Sequence, residues 1–298
     1  MRARRRVLLL VGAVTAAAIV TAGVWWWLAR PAPGPEETAL GYFHALATGD
    51  PAAVRASGLE VDEAAATAYA SAFGTVSDPT VTDVDPHADT ARVTVSFRLD
   101  GAEHRTIVAM IERDGRWHAS SPITGTLTVA RPWGEAAVGG TPIGAGPLPL
   151  LPAVYEVRAA PMELVTGSAE AVVLPGEEAD AALAPALTER AAAEAQARLE
   201  DRLRQCAEPA SAVPEHCGMR VPWAADLATI DRVLFRIEKM PTVALDPPSF
   251  AATGGALVAT VTGADHAGAP AAATYRTDSW GVRGDLRFDD DRLLLAVR

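Results

Sequence analysis

The stretch ARVTVSFRLDGAEHRTIVAMIERDGRW, residues 91–117, decides how the chain is read. Val93, Val95, Phe97 and Leu99 point one way, while Thr94, Ser96 and Arg98 point the other, which is the two-residue period of a half-buried strand. Asp100-Gly101 is a hairpin signal, residues 106–112 form the return strand, Asp114-Gly115 makes the next turn, and Trp117 opens a third strand. Upstream, residues 36–48 carry Leu40, Phe43, Leu46 and Ala47 at helical spacing, and Gly49 ends the run. Asp50 caps a second short helix with Pro51 at its first position, and Asp62 caps a third, residues 63–73, that stops at Gly74. The pattern predicts three helices packed on a curved antiparallel meander over residues 36–131.

The order "ALGYFHALATGDPAAV" (39–54), a further helix, "VTVSFRLDG" (93–101) and "ERDGRWHASSP" (112–122) resembles a nuclear-transport-factor-like domain. More narrowly, it is similar to the non-catalytic membrane-proximal domain of peptidoglycan transpeptidases. The resemblance covers about a third of the chain. It implies a cone-shaped fold that serves as a spacer or docking module, and it carries over no catalytic residue. It also implies a pocket within residues 36–131, so a small-ligand-binding or sensor role there is the alternative reading.

N-terminal to this region, residues 7–29 run without a charge, preceded by Arg2, Arg4, Arg5 and Arg6 and followed by Glu36 and Glu37. As a helix the run spans about 34 Å, against about 30 Å of hydrocarbon. The positive-inside rule places residues 1–6 in the cytoplasm and the C-terminus outside, with Trp25, Trp26 and Trp27 at the outer membrane interface. A cleaved signal peptide would have a shorter apolar core and a small-x-small site, whereas three tryptophans, Arg30 and Pro31 end this one. The expectation is therefore a single transmembrane helix at 7–29 and a tether at 30–35.

Composition bounds the partners. The chain has 298 residues, 49% of them hydrophobic, enough for two domains. Lys239 is the only lysine and asparagine is absent, as a GC-rich coding bias produces, so the arginines do not argue for phosphate or nucleic-acid binding. Beyond Arg30 there are 21 basic residues against 37 acidic, a balance of −16, and such a body repels nucleic acid and anionic lipid.

Residues 132–149 carry five glycines and four prolines and read as a linker. Gly139, Gly140, Gly144 and Gly146 do not make a phosphate loop, because Pro142 and Pro147 remove amide donors and no lysine follows. A second α+β domain, 150–298, begins with short strands in "LLPAVYEVRA", "MELVTG" and "AEAVVLPG". A helix over about 185–205 follows, with Leu187, Leu199 and Leu203 on its apolar side. It closes with antiparallel strands in "RVLFRIEKMPTVAL", "ALVATVTG", "AAATYRTDSWGVRGDLRF" and "RLLLAV". The set "PAVYEV", "RQCA", a proline-rich loop to a second cysteine, and "FRIEKMPTVAL" resembles a type of membrane-anchored protein from high-GC Gram-positive bacteria. That resemblance implies location and architecture and no activity.

Cys206 and Cys217 are the only cysteines, and an even count outside the cytoplasm favours a disulfide. A zinc site with His216, a reactive thiol at Cys217 in "EHCGMR", and two free buried thiols are the alternatives. Asp289, Asp290 and Asp291 read as a solvated hairpin tip rather than a calcium site. His44, His87, His104, His118, His216 and His266 make no paired metal spacing. No Ser-x-x-Lys, Gly-Lys-Ser/Thr or Gly-x-Ser-x-Gly occurs, which rules out penicillin-binding transpeptidase, serine β-lactamase and P-loop nucleotidase chemistry. These residues lead us to expect an α+β, non-enzymatic, membrane-anchored extracytoplasmic envelope protein. It would be an interaction or scaffold module with no cofactor, metal or nucleic acid and with an envelope protein partner.

Overall fold

A computed structural model describes residues 33–144, 146–209, 215–220, 227–289 and 292–298. The chain divides into two compact units: the described residues up to Thr48 with Ala52–Glu60 and Val76–Ile123, and Gly49–Pro51 with Val61–Thr75 and Thr124–Arg298.

In the first unit β2 (Ser77–His87), β3 (Thr90–Leu99), β4 (Ala102–Arg113) and β5 (Arg116–Ala119) form an antiparallel sheet in that order. Both hairpin turns place their central residues at positive φ (Asp100 52°, Gly101 73°, Asp114 53°, Gly115 71°), the handedness that matches the twist of the flanking strands. The α1 helix (Pro35–Ala47) lies across the sheet and buries Ala39, Tyr42, Phe43, Ala45 and Leu46. Phe43 meets Phe97 with ring centroids 5.2 Å apart, and Val93, Val95, Leu99, Val108 and Met110 fill the rest of this inner face. Burial, partly offset by a hydrogen bond with the backbone of Ala119, pushes the Tyr42 phenol up.

The expected three-helix cone is not what forms. The second helix, α2 (Pro51–Ala56), is under two turns, and the third, α3 (Glu63–Ala70), belongs to the second unit. Asp62 caps it as expected, accepting from the Ala65 amide at 2.7 Å. Its buried face, Ala65, Ala66, Ala68 and Tyr69, packs on β8 (Thr141–Ile143), β9 (Leu148–Leu150) and β10 (Ala153–Ala160).

The α+β expectation is corrected in a second way. Residues 132–149 supply three strands, β7 (Glu135–Val138), β8 and β9, where a linker was expected. Nineteen strands and four helices make the described residues mostly β. Nor is every pairing antiparallel, because β13 (Glu178–Ala182) runs parallel to β6 (Gly125–Ala130). Among the described residues no helix is long and apolar enough to cross a membrane. The expected transmembrane helix at 7–29, with Trp25, Trp26 and Trp27, lies outside the described residues and forms no part of the described fold.

The centre of the second unit is β10, flanked by β12 (Ser168–Val173) on one side and by β1 (Gly74–Thr75) and β7 on the other. Tyr155 lies at its core and donates to the Leu151 carbonyl at 2.7 Å. Burial drives the phenols of Tyr155 and Tyr69 far above the ordinary tyrosine range.

The closing sheet is antiparallel as expected: β15 (Thr229–Lys239) and β16 (Thr242–Asp246) along β17 (Ser249–Ala264), then β18 (Pro270–Asp289) and β19 (Arg292–Val297). The long helix α4 (Glu189–Cys206) packs on β16 and β19 through Leu199 and Leu203. Gln196 clips it in place, donating to the Pro241 carbonyl at 3.2 Å and accepting from the Val243 amide at 2.9 Å.

Candidate functional site

The two cysteines sit where α4 ends against the closing sheet. Cys206 is the last residue of that helix, and it is bonded to Cys217 with Cα atoms 5.9 Å apart. Both are buried among Leu203, Met219, Phe250, Trp280 and Val282. Gly218 follows with φ 61°, where a Cβ would run into Val282, and its carbonyl accepts from the Trp280 indole at 3.0 Å. A bonded sulfur is neither a thiolate nor a metal ligand, so the pair acts as a clamp. His216, at φ 56°, is an exposed residue of the preceding turn.

The aspartates and histidines weighed in the sequence, expected to form no metal site, lie apart where they are described. Asp289 ends β18, while Asp290 and Asp291 lie outside the described residues. His104 stacks on Phe97 at 5.8 Å, and His87 pairs with Asp85 at 3.6 Å. No group of three or more His, Cys, Asp or Glu able to hold a metal occurs among the described residues. Gly139 and Gly140 form the tight turn between β7 and β8, with φ of 55° and 82°. A Cβ on Gly139 would collide with Ser71, so this turn is glycine because it abuts the C-terminus of α3.

The residues that do converge form a cleft of about 750 Å³ on the solvent face of the β10 sheet. Strand register puts Arg158, Ala137 and Pro142 in one row and Ala160 opposite Glu135 in the next. Small side chains in the middle of those rows leave a trough, and Arg158, Glu156 and Glu135 stand around it, with Met162 at its rim. Arg158 bonds Glu156 at 2.6 Å, and that hydrogen bond holds the guanidinium further toward its charged form. Its other amino group lies 4.0 Å from the Met162 sulfur. Met162 is 64% exposed, an adaptable apolar surface. Ser71 Oγ, on the other wall, donates to the Ala68 carbonyl at 2.6 Å.

These residues were missed in the sequence because register, not spacing, assembles them. The only local signal was the alternation in "VYEVRAA", which puts Glu156, Arg158 and Ala160 on one face of a strand. No protein-family model, curated protein or solved structure matches this chain.

Proposed function

We propose that this chain is a non-enzymatic interaction protein of the cell envelope, held at a membrane by its apolar N-terminal segment with the body outside the cytoplasm. The observation that carries the interaction reading is the trough on the β10 sheet. Its volume of about 750 Å³ falls in the range of binding clefts. Its floor is Ala137, Ala160 and Pro142, its rim carries an exposed methionine, and its charges are an ion pair and Glu135. The Arg158 guanidinium is bonded to Glu156 and the Ser71 hydroxyl to a main-chain carbonyl. That the Arg158 guanidinium and the Ser71 hydroxyl each already hold a partner supports the reading of the trough as a contact surface. The buried disulfide supports an oxidising compartment, and the arginine tail ahead of residues 7–29 supports the orientation.

A photo-crosslinking amino acid in place of Met162 tests this reading in intact cells. The expected result is one discrete protein adduct that weakens when Arg158→Ala is added. Absence of any adduct, or one indifferent to Arg158, contradicts it.

A further inference from the structure

Sheet edges in this protein are treated unequally. The outer edge of β2 is blunted by Pro79 and Pro86, by Asp78, Asp83 and Asp85, and by two register shifts against β3. The outer edge of β15 is interrupted by register shifts at Ile230/Arg232 and Ile237/Lys239. The edge strands β5 and β8 have four and three residues, and β8 contains Pro142. Such devices keep exposed strands from pairing with other chains.

The segment Ala271–Tyr275 of β18 has none of them. On one side it pairs with β17 without a register shift from Pro270 to Thr277. On the other side β19 reaches only from Gly284 to Asp289, so among the described residues no strand covers 270–283. From Ala271 to Tyr275 the strand contains no charge, proline or glycine. Every second residue of that edge presents its amide and carbonyl outward.

We propose that this edge pairs with the same edge of a second copy of the chain, antiparallel about a two-fold axis at Thr274. The register makes the edge self-complementary. Thr274 faces Thr274, Ala273 faces Tyr275, and Ala272 faces Arg276, so each large side chain lies opposite an alanine and no like charges oppose. Thr274 already meets Thr260 of the neighbouring β17 at 3.4 Å, and the pairing extends that hydroxyl row into the second copy. A two-fold at Thr277 would set Arg276 opposite Asp278, but it falls on the irregularity where Gly255 pairs with Trp280 and Leu257 with Thr277. The acidic body opposes self-association elsewhere, whereas the one charged residue of Ala271–Thr277 is Arg276, already paired with Glu238 at 3.0 Å and Asp278 at 2.8 Å. The interface is small, and its sufficiency rests on the anchored reading, because confinement to a membrane raises the effective concentration.

The test is Thr274→Cys in the full chain in its own membranes under mild oxidation. Facing residues of an antiparallel pair have Cα atoms about 4.5–5.5 Å apart, within disulfide reach. The expected product is a covalent dimer of twice the chain's mass, with none from Asp83→Cys on the blunted β2 edge. Adding Ala272→Arg sets like charges against Arg276 twice per interface and lowers the yield about fivefold, whereas Ala272→Asp preserves it. No dimer from Thr274→Cys, an equal yield with Ala272→Arg, or an adduct of some other mass overturns the proposal.

Discussion

Reducing the Cys206–Cys217 bond should loosen the second unit and leave the first unchanged. The bond closes a loop of sequence separation 11. The chain-entropy relation gives about 3 kcal/mol for a loop of that size. That equals about a hundredfold in the opening equilibrium. Replacing both cysteines by alanine removes two further buried atoms, at about 1 kcal/mol each, so Cys206→Ala/Cys217→Ala should be less stable than the reduced parent. Peptide-resolved hydrogen exchange reads this directly. Amides of α4 near Leu203, of β17 around Leu257–Val261 and of β18 near Trp280 lose up to about two orders of magnitude of protection on reduction. Amides of β3 keep their rates, because no cross-link lies in that unit. Uniform loss across both units, or a change below about threefold around Trp280, refutes the reasoning. So does incorporation of two alkyl labels into folded, unreduced protein.

Three further outcomes follow from packing and protonation. Gly139→Ala should destabilise by about 2 kcal/mol or more in urea melts, since it combines a positive φ with a collision against Ser71, while Gly140→Ala, with open space around it, costs about 1 kcal/mol. Phe43→Ala should cost about 3–5 kcal/mol, with the loss confined to exchange rates in the first unit. The folded pKa values of Tyr42, Tyr69 and Tyr155 are raised, so above pH about 10 the unfolded chain releases protons that the native one retains. Stability is therefore full below that pH and falls above it. A 295 nm titration should show these three phenols ionising only as the protein unfolds, and early ionisation of all of them at constant structure contradicts the burial argument.

Local signals in the sequence were sound where pattern and packing agree. Alternation in 93–99 and both Asp-Gly turns gave the first unit's hairpins, and Asp62 is a true N-cap. The failures have physical causes. Helix α3 was assigned to the nearest sheet in sequence, but an alanine-rich face fits any close apolar surface, and its partners are strands from residues 141–160. Strand β2 is rich in Asp and Pro because it is an edge, and edge composition imitates a loop. The 132–149 segment reads as a linker because glycine and proline mark its turns, yet three-residue strands between those turns suffice to join a sheet. The trough around Arg158 needed the β7–β10 register, which no local pattern encodes.

Protease added to intact spheroplasts tests the central claim, that the folded body of this protein faces an oxidising, extracytoplasmic space. With an epitope after Arg298, external protease should remove the epitope without lysis. Prior reduction should speed cleavage, because the Cys206–Cys217 clamp is then open. An epitope that survives until the membrane is broken would place the body on the cytoplasmic side.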